Sequence, residues 1–198
     1  MRPFPTVWLS PAGHILGSSQ IVVEHKGLRM VFTGDYKRRA DPTCPGFEPV
    51  ENTHVFISEA TFGLPVFRHP PTDQEIDRLM RSVADNPDRT HCIGAYSLGK
   101  AQRVIKHLRL AGHDRPIYIH GSLEKLCEVY EAAGVTLGEL RPATLEDRSK
   151  AAREAFRGEI VIAPPGAFEG KWAQRFPDPV IGFASGWMSV KQRAKQRG

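Results

Sequence analysis

Three short phrases put metal-binding or proton-moving residues where apolar runs end. The first is Ser10-Pro-Ala-Gly-His-Ile-Leu-Gly-Ser18, with His14 between Gly13 and Gly17. A histidine in a sharply bending loop at a strand edge can offer an imidazole nitrogen to a metal. The second is Val31-Phe-Thr-Gly-Asp35, an apolar run leading into a carboxylate that can bind or bridge metal ions. The third, Val55-Phe-Ile-Ser-Glu59, ends the same way, and Glu59 can orient a metal-bound imidazole or accept a proton. Taken singly, each also reads as an ordinary polar loop or turn residue. Three in one context carry more weight than any one.

A fourth phrase, Ala95-Tyr-Ser-Leu-Gly-Lys-Ala-Gln102, follows an apolar run and opens a helical pattern. Exposed backbone N–H groups and the helix dipole at such a start favour phosphate, with Ser97, Gly99 and Lys100 at the turn and Arg103 adding charge. Ordinary helix-start chemistry is the competing reading. It is no P-loop, because G-x-x-x-x-G-K-[ST] is absent.

The elements that must position these residues change character along the chain. The first third reads as strands: Val7–Leu9, Gln20–His25, Leu28–Thr33 and Val55–Ile57, with Lys26-Gly27 as a hairpin turn. A Pro-rich loop fills Tyr36 to Asn52. From about residue 64 the period becomes helical. Thr72-Asp-Gln-Glu75 reads as a capping box, followed by Ile76, Leu79, Met80 and Val83 on one face. Strands at Cys92–Ala95, Ile117–Ile119, Ile160–Ala163 and Val180–Phe183 alternate with helices. One helix carries Ala101, Val104, Ile105 and Leu108 on one face, another Leu123, Leu126, Val129 and Tyr130, and a polar one covers Leu145 to Phe156. That alternation predicts a mostly parallel sheet with helices on its faces.

Composition narrows the class. With 40% hydrophobic and 25% charged residues, the chain is neither disordered nor collagen-like. It has no apolar run of about 18 residues, so no membrane-spanning helix is expected, and its start does not read as a signal peptide. Three scattered cysteines, Cys44, Cys92 and Cys127, contain no C-x-x-C pair, so they read as buried apolar residues in a cytoplasmic protein. Of the net charge of +5, Lys191, Arg193, Lys195 and Arg197 supply four. A basic tail suits an anionic partner or is simply a solvated end.

Together and in this order, the phrases around His14, Asp35 and Glu59 resemble the metallo-β-lactamase superfamily, and within it the β-CASP nucleases. The Ser97–Gln102 phrase extends the likeness. So do Phe62–Pro70, Ile160–Gly166 and Ala184–Met188, which resemble bacterial ligase-associated DNA damage response exonucleases. The resemblance covers nearly the whole chain. It implies a partial metallo-β-lactamase β-sandwich (αββα type) over residues 1–63, then an α/β β-CASP domain over 64–198. It also implies a metal-dependent hydrolase. His14 and Asp35 would be metal ligands, Asp35 and Glu59 catalytic groups, and two divalent metal ions, zinc or manganese, the cofactors. His69 and His120 fall in phrases of the subfamily without a metal role.

The family's H-x-H-x-D-H phrase is absent, since no two of the eight histidines stand two residues apart. Its later histidine phrases are absent as well. The expectation is a chain truncated at both ends, inactive alone, with exposed apolar strand edges in its first 60 residues. The implied activity is phosphodiester hydrolysis of nucleic acid, with 3′ exonuclease action on DNA in repair favoured over RNA processing. Association with a DNA ligase and a cytoplasmic location follow. A non-catalytic nucleic-acid-binding module is the alternative from another class.

Overall fold

A computed structural model describes residues 4–144 and 149–189. The chain divides into two compact units, Met1–Leu64 and Pro65–Gly198.

The first unit is one four-stranded sheet. It contains β1 (Thr6–Pro11), β2 (Ser19–His25), β3 (Leu28–Phe32) and β4 (Val55–Ile57), in spatial order β1-β2-β3-β4. The first three pair antiparallel, and β4 joins β3 in parallel, Val31 opposite Phe56. Lys26 and Gly27 form the β2–β3 turn with φ of 49° and 82°. A two-residue turn needs this left-handed backbone to match the twist of its strands.

The parallel β3–β4 pair requires a crossover, and residues 33–54 provide it without a helix or strand. This loop lies on the Gln20–Val22 face, where the Gln20 amide Nε2 donates to the carbonyls of Pro11 and Glu48. Val22 and Val31 are fully buried. On the opposite face, registered rows place Leu9, Ile21, Phe32 and Ile57 side by side. All four are exposed. The apolar surface expected at strand edges therefore lies on a sheet face.

The second unit is built on a wholly parallel sheet in the order β7-β6-β8-β5-β9. Its strands are β5 (His91–Gly94), β6 (Ile117–Ile119), β7 (Leu140–Pro142), β8 (Ile160–Ala163) and β9 (Val180–Phe183). Its helices are α1 (Thr72–Asp85), α2 (Lys100–Leu110), α3 (Gly121–Ala132), α4 (Lys150–Glu154) and α5 (Pro165–Phe168). Every residue of β5 and β8 is buried. Strands covered on both faces read as continuous apolar runs, which is how they stood out in the sequence. The core beside them is aromatic. Phe156, Phe168 and Phe176 pack with Cys92 and Val161, and Phe156 meets Tyr118 and Phe176 edge-on.

Three local readings are corrected. Pro71, not Thr72, precedes α1, and no side chain caps it. The Thr72 hydroxyl instead accepts a hydrogen bond from Arg103 Nη2 at 2.7 Å, so the capping box does not form. The polar helix is shorter than expected: Ser149 caps α4 by accepting from the Ala152 N–H, and residues 145–148 lie outside the described set. Strand β7 was not expected, because Leu140-Arg-Pro142 is too short and polar to signal a strand; the parallel sheet recruits it beside β6. The basic tail also falls outside the described residues.

Candidate functional site

Strands β1, β3 and β4 run in the same direction, so their carboxyl ends share one side of the first unit's sheet. His14 follows β1, Asp35 follows β3 and Glu59 follows β4. Topology thus brings the three predicted residues to one rim.

The loop carrying His14 is tied down at several points. Ser18 Oγ accepts from the backbone N–H groups of His14 and Ile15 and donates to the Ile15 carbonyl. The Lys37 N–H donates to the Ala12 carbonyl, and Lys37 Nζ donates to the His14 carbonyl at 3.2 Å. Lys37 is held in turn by an ion pair with Asp41. Burial alone would raise the Asp41 pKa. Hydrogen bonds from Lys37 and Thr43 outweigh it and hold the carboxyl below its ordinary value. Gly13 is required here. Its φ is +69°, and a Cβ would sit 2.5 Å from the Lys37 carbonyl oxygen.

Within this frame His14 Nε2 lies 3.9 Å from Asp35 Oδ2, with both side chains open to solvent. Glu59 turns to its own loop, where Oε2 accepts from the Thr61 N–H at 2.5 Å. Among the described residues no three His, Cys, Asp or Glu side chains gather closely enough to hold a metal ion. A catalytic zinc site takes about three protein ligands, and a two-metal centre more. His14 and Asp35 supply two. These residues by themselves do not fit the two-metal centre that the resemblance implies.

The fourth phrase lies in the second unit, where β5 gives way to α2. Gly99 is the N-cap of α2, with a φ of 78° that favours glycine. The buried Gln102 amide organises the turn. Its Oε1 accepts from the Gly99 N–H at 2.8 Å, and its Nε2 donates to the Ser97 carbonyl at 2.9 Å. The N–H groups of Lys100 and Ala101 donate to the carbonyls of Leu98 and Tyr96. The Gly99, Lys100 and Ala101 N–H groups, expected to await a phosphate here, are thus already engaged, which shifts anion contact toward side chains. Ser97 Oγ hydrogen-bonds Ser122 Oγ at the start of α3. Arg103 reaches back to Thr72 and so joins α2 to α1. Gln102 stood inside the sequence phrase, but its role in closing the turn was not legible from residue types. The buried thiols are inert, with burial pushing the Cys92 pKa up to about 12 and raising that of Cys127.

No family model matches the chain. Curated relatives do. A protein named probable DNA ligase from Opitutus terrae is 32% identical over 188 residues, 91% of this chain and 17% of its own length. Endoribonuclease YSH1 of Saccharomyces cerevisiae is 32% identical over 129 residues, covering 59% of this chain and 16% of that protein. Cleavage and polyadenylation specificity factor subunit 3 of Dictyostelium discoideum is 34% identical over 125 residues, with the same coverage. These matches support the likeness to the β-CASP branch of the metallo-β-lactamase superfamily. The chain spans about a sixth of the length of these relatives. A crystal structure of a protein of unknown function from Enterococcus faecalis V583 matches this chain with a TM-score of 0.52 at 13% identity. That likeness covers 92% of this chain and 53% of the other, and it shows the fold alone. Among the described residues, no helix is long and apolar enough to cross a membrane.

Proposed function

We propose that this chain is a β-CASP-like part of a metal-dependent nuclease, with His14 and Asp35 contributing ligands at the rim of the first unit's sheet. The observation that carries this reading is the 3.9 Å approach of His14 and Asp35 from two phrases far apart in sequence. In the family's chemistry, divalent ions such as zinc or manganese would activate water and clamp the scissile phosphate. The matched donors among the described residues number two, so no reaction step is assigned to them alone. Glu59 stands at the same rim for proton transfer or for orienting a ligand. Ser97 and Lys100 offer a hydroxyl and a cation to phosphate oxygens. Gly99 shapes their turn, and Arg103 anchors it through Thr72.

DNA is the favoured substrate, with 3′ exonuclease action in repair and association with a DNA ligase. Support comes from the relative named a DNA ligase, which matches the greater part of the chain. RNA is the second reading, favoured by the relatives named endoribonucleases. The test pairs zinc and manganese titration by calorimetry with cleavage assays on matched DNA and RNA strands. The expected result is weak metal uptake that Asp35→Asn and His14→Ala each reduce at least about tenfold, without cleavage by the chain alone. Metal uptake unaffected by both substitutions would remove the site. Two tightly held metals with robust cleavage would show that two matched ligands are an undercount.

A further inference from the structure

The second unit carries a cleft that the phosphate-facing residues do not account for. It has a volume of about 40 Å³ and opens where β5, β8 and β9 end. Tyr96 lines it from the end of β5, Pro165 from the end of β8, and Phe183, Trp187 and Met188 from the end of β9. The adjacent strands β5 and β8 leave the sheet in opposite directions. The chain passes from β5 through α2 to β6, and from β8 through α5 to β9 on the other side. Right-handed crossovers then put the two connections on opposite faces, and open α/β sheets bind ligands in the crevice such a reversal leaves.

The lining selects the ligand. Phe183 is seated over Gly94, where a Cβ would lie 2.5 Å from its ring, so only glycine leaves room for this floor. Trp187 is braced edge-on by Phe67, with ring centroids 5.4 Å apart. Tyr96 is 62% exposed although it directly follows a fully buried strand and the buried Ala95. A large aromatic ring presented to solvent at a crevice suits a flat, partly apolar ligand. The next residues along the chain, Ser97 and Lys100, carry a hydroxyl and a cation, and the first turn of α2 holds no acidic side chain. Aromatic face and anion-seeking groups are thus successive, as base and phosphate are along a polynucleotide.

We propose that this cleft is a stacking subsite for one unpaired nucleobase, with Tyr96 against the base and Ser97 and Lys100 toward the adjoining phosphate. The proposal rests on the nucleic-acid reading above and deepens it to a single-stranded substrate. A base paired and stacked inside a duplex does not offer its face to Tyr96, so an unpaired strand is required. Stacking reads the face that every base shares, so the subsite tolerates sequence and is indifferent to the sugar.

The experiment measures equilibrium binding of the full chain at low salt to labelled (dT)12, (rU)12 and a dodecamer of abasic sites with the same phosphates. Expected is affinity for (dT)12 and (rU)12 about tenfold or more above the abasic strand. Tyr96→Ala should erase most of that gap while leaving abasic binding and the thermal midpoint unchanged, and Tyr96→Phe should preserve it. Lys100→Ala should weaken all three strands together. Equal affinity of the wild-type chain for base-bearing and abasic strands, with Lys100→Ala still weakening both, would overturn the stacking subsite and leave the nucleic-acid reading standing. A gap that survives Tyr96→Ala would overturn the role of Tyr96. No binding of any strand would overturn the nucleic-acid reading and the subsite with it.

Discussion

The two units bury their sheets differently. In the second, β5 and β8 are buried at every position and flanked by helices and an aromatic cluster. In the first, one face is covered by the 33–54 loop and the other leaves Leu9, Ile21, Phe32 and Ile57 exposed. Fully burying such a side chain contributes roughly 1.5–3 kcal/mol, and the first unit leaves part of that contribution unrealised at four adjacent positions. The predicted metal ligands stand on the unit with the less complete core, while the stacking cleft stands on the unit with the more complete one.

The largest expected effect comes from the aromatic core. Phe156→Ala should destabilise the second unit by about 3–5 kcal/mol in urea unfolding, because Phe156 is 3% exposed. Ile57→Ser on the open face of the first unit should stay within about 0.5 kcal/mol. A loss at Ile57 as large as that at Phe156 would break the comparison.

Next is Arg109, whose guanidinium donates to the carbonyls of Leu137, His113 and Glu139. Arg109→Ala would strand those acceptors and should cost about 2 kcal/mol. Arg109→Lys should recover only part of it, since an ammonium cannot reproduce the fork. Gly13→Ala in the first unit should cost more than about 1 kcal/mol, because both the positive φ and the Lys37 carbonyl oppose a side chain. It should also weaken metal uptake by displacing His14. Unchanged uptake would detach the loop from the site.

The smallest effect is a pH dependence in the second unit. Burial lowers the pKa of His91 and of His113. Each stays neutral when folded at a pH where the unfolded chain already binds a proton. Their stabilising contribution is therefore complete above the unfolded value near 6.5 and declines as pH falls through the folded values. Urea midpoints for the second unit should drop between pH 7.5 and pH 5, and His113→Asn should flatten the drop. A midpoint that rises on acidification would contradict the sign.

Much of this was legible in residue types. Parallel strands buried on both faces gave unbroken apolar runs, and Lys26-Gly27 marked its hairpin through backbone chemistry alone. That His14, Asp35 and Glu59 follow strand ends was legible in three phrases, but the common direction of β1, β3 and β4 that gives them one rim was not. What stayed hidden depended on distant partners. Thr72 resembles a helix cap until Arg103 claims its hydroxyl. The α2 start looks like a set of free donors until Gln102 and the Tyr96 and Leu98 carbonyls engage them. The cleft is assembled from three strand ends widely separated in sequence, so no local pattern announces it.

Native-state hydrogen exchange on the intact chain tests the contrast between the units most directly. Amides of Cys92, Ile93, Val161 and Ile162 should be the slowest, exchanging only with unfolding of the second unit. Those of β1 to β4 should exchange at least about a hundredfold faster, through cheaper local opening. Protection in β1 to β4 equal to that of β5 and β8 would contradict the account.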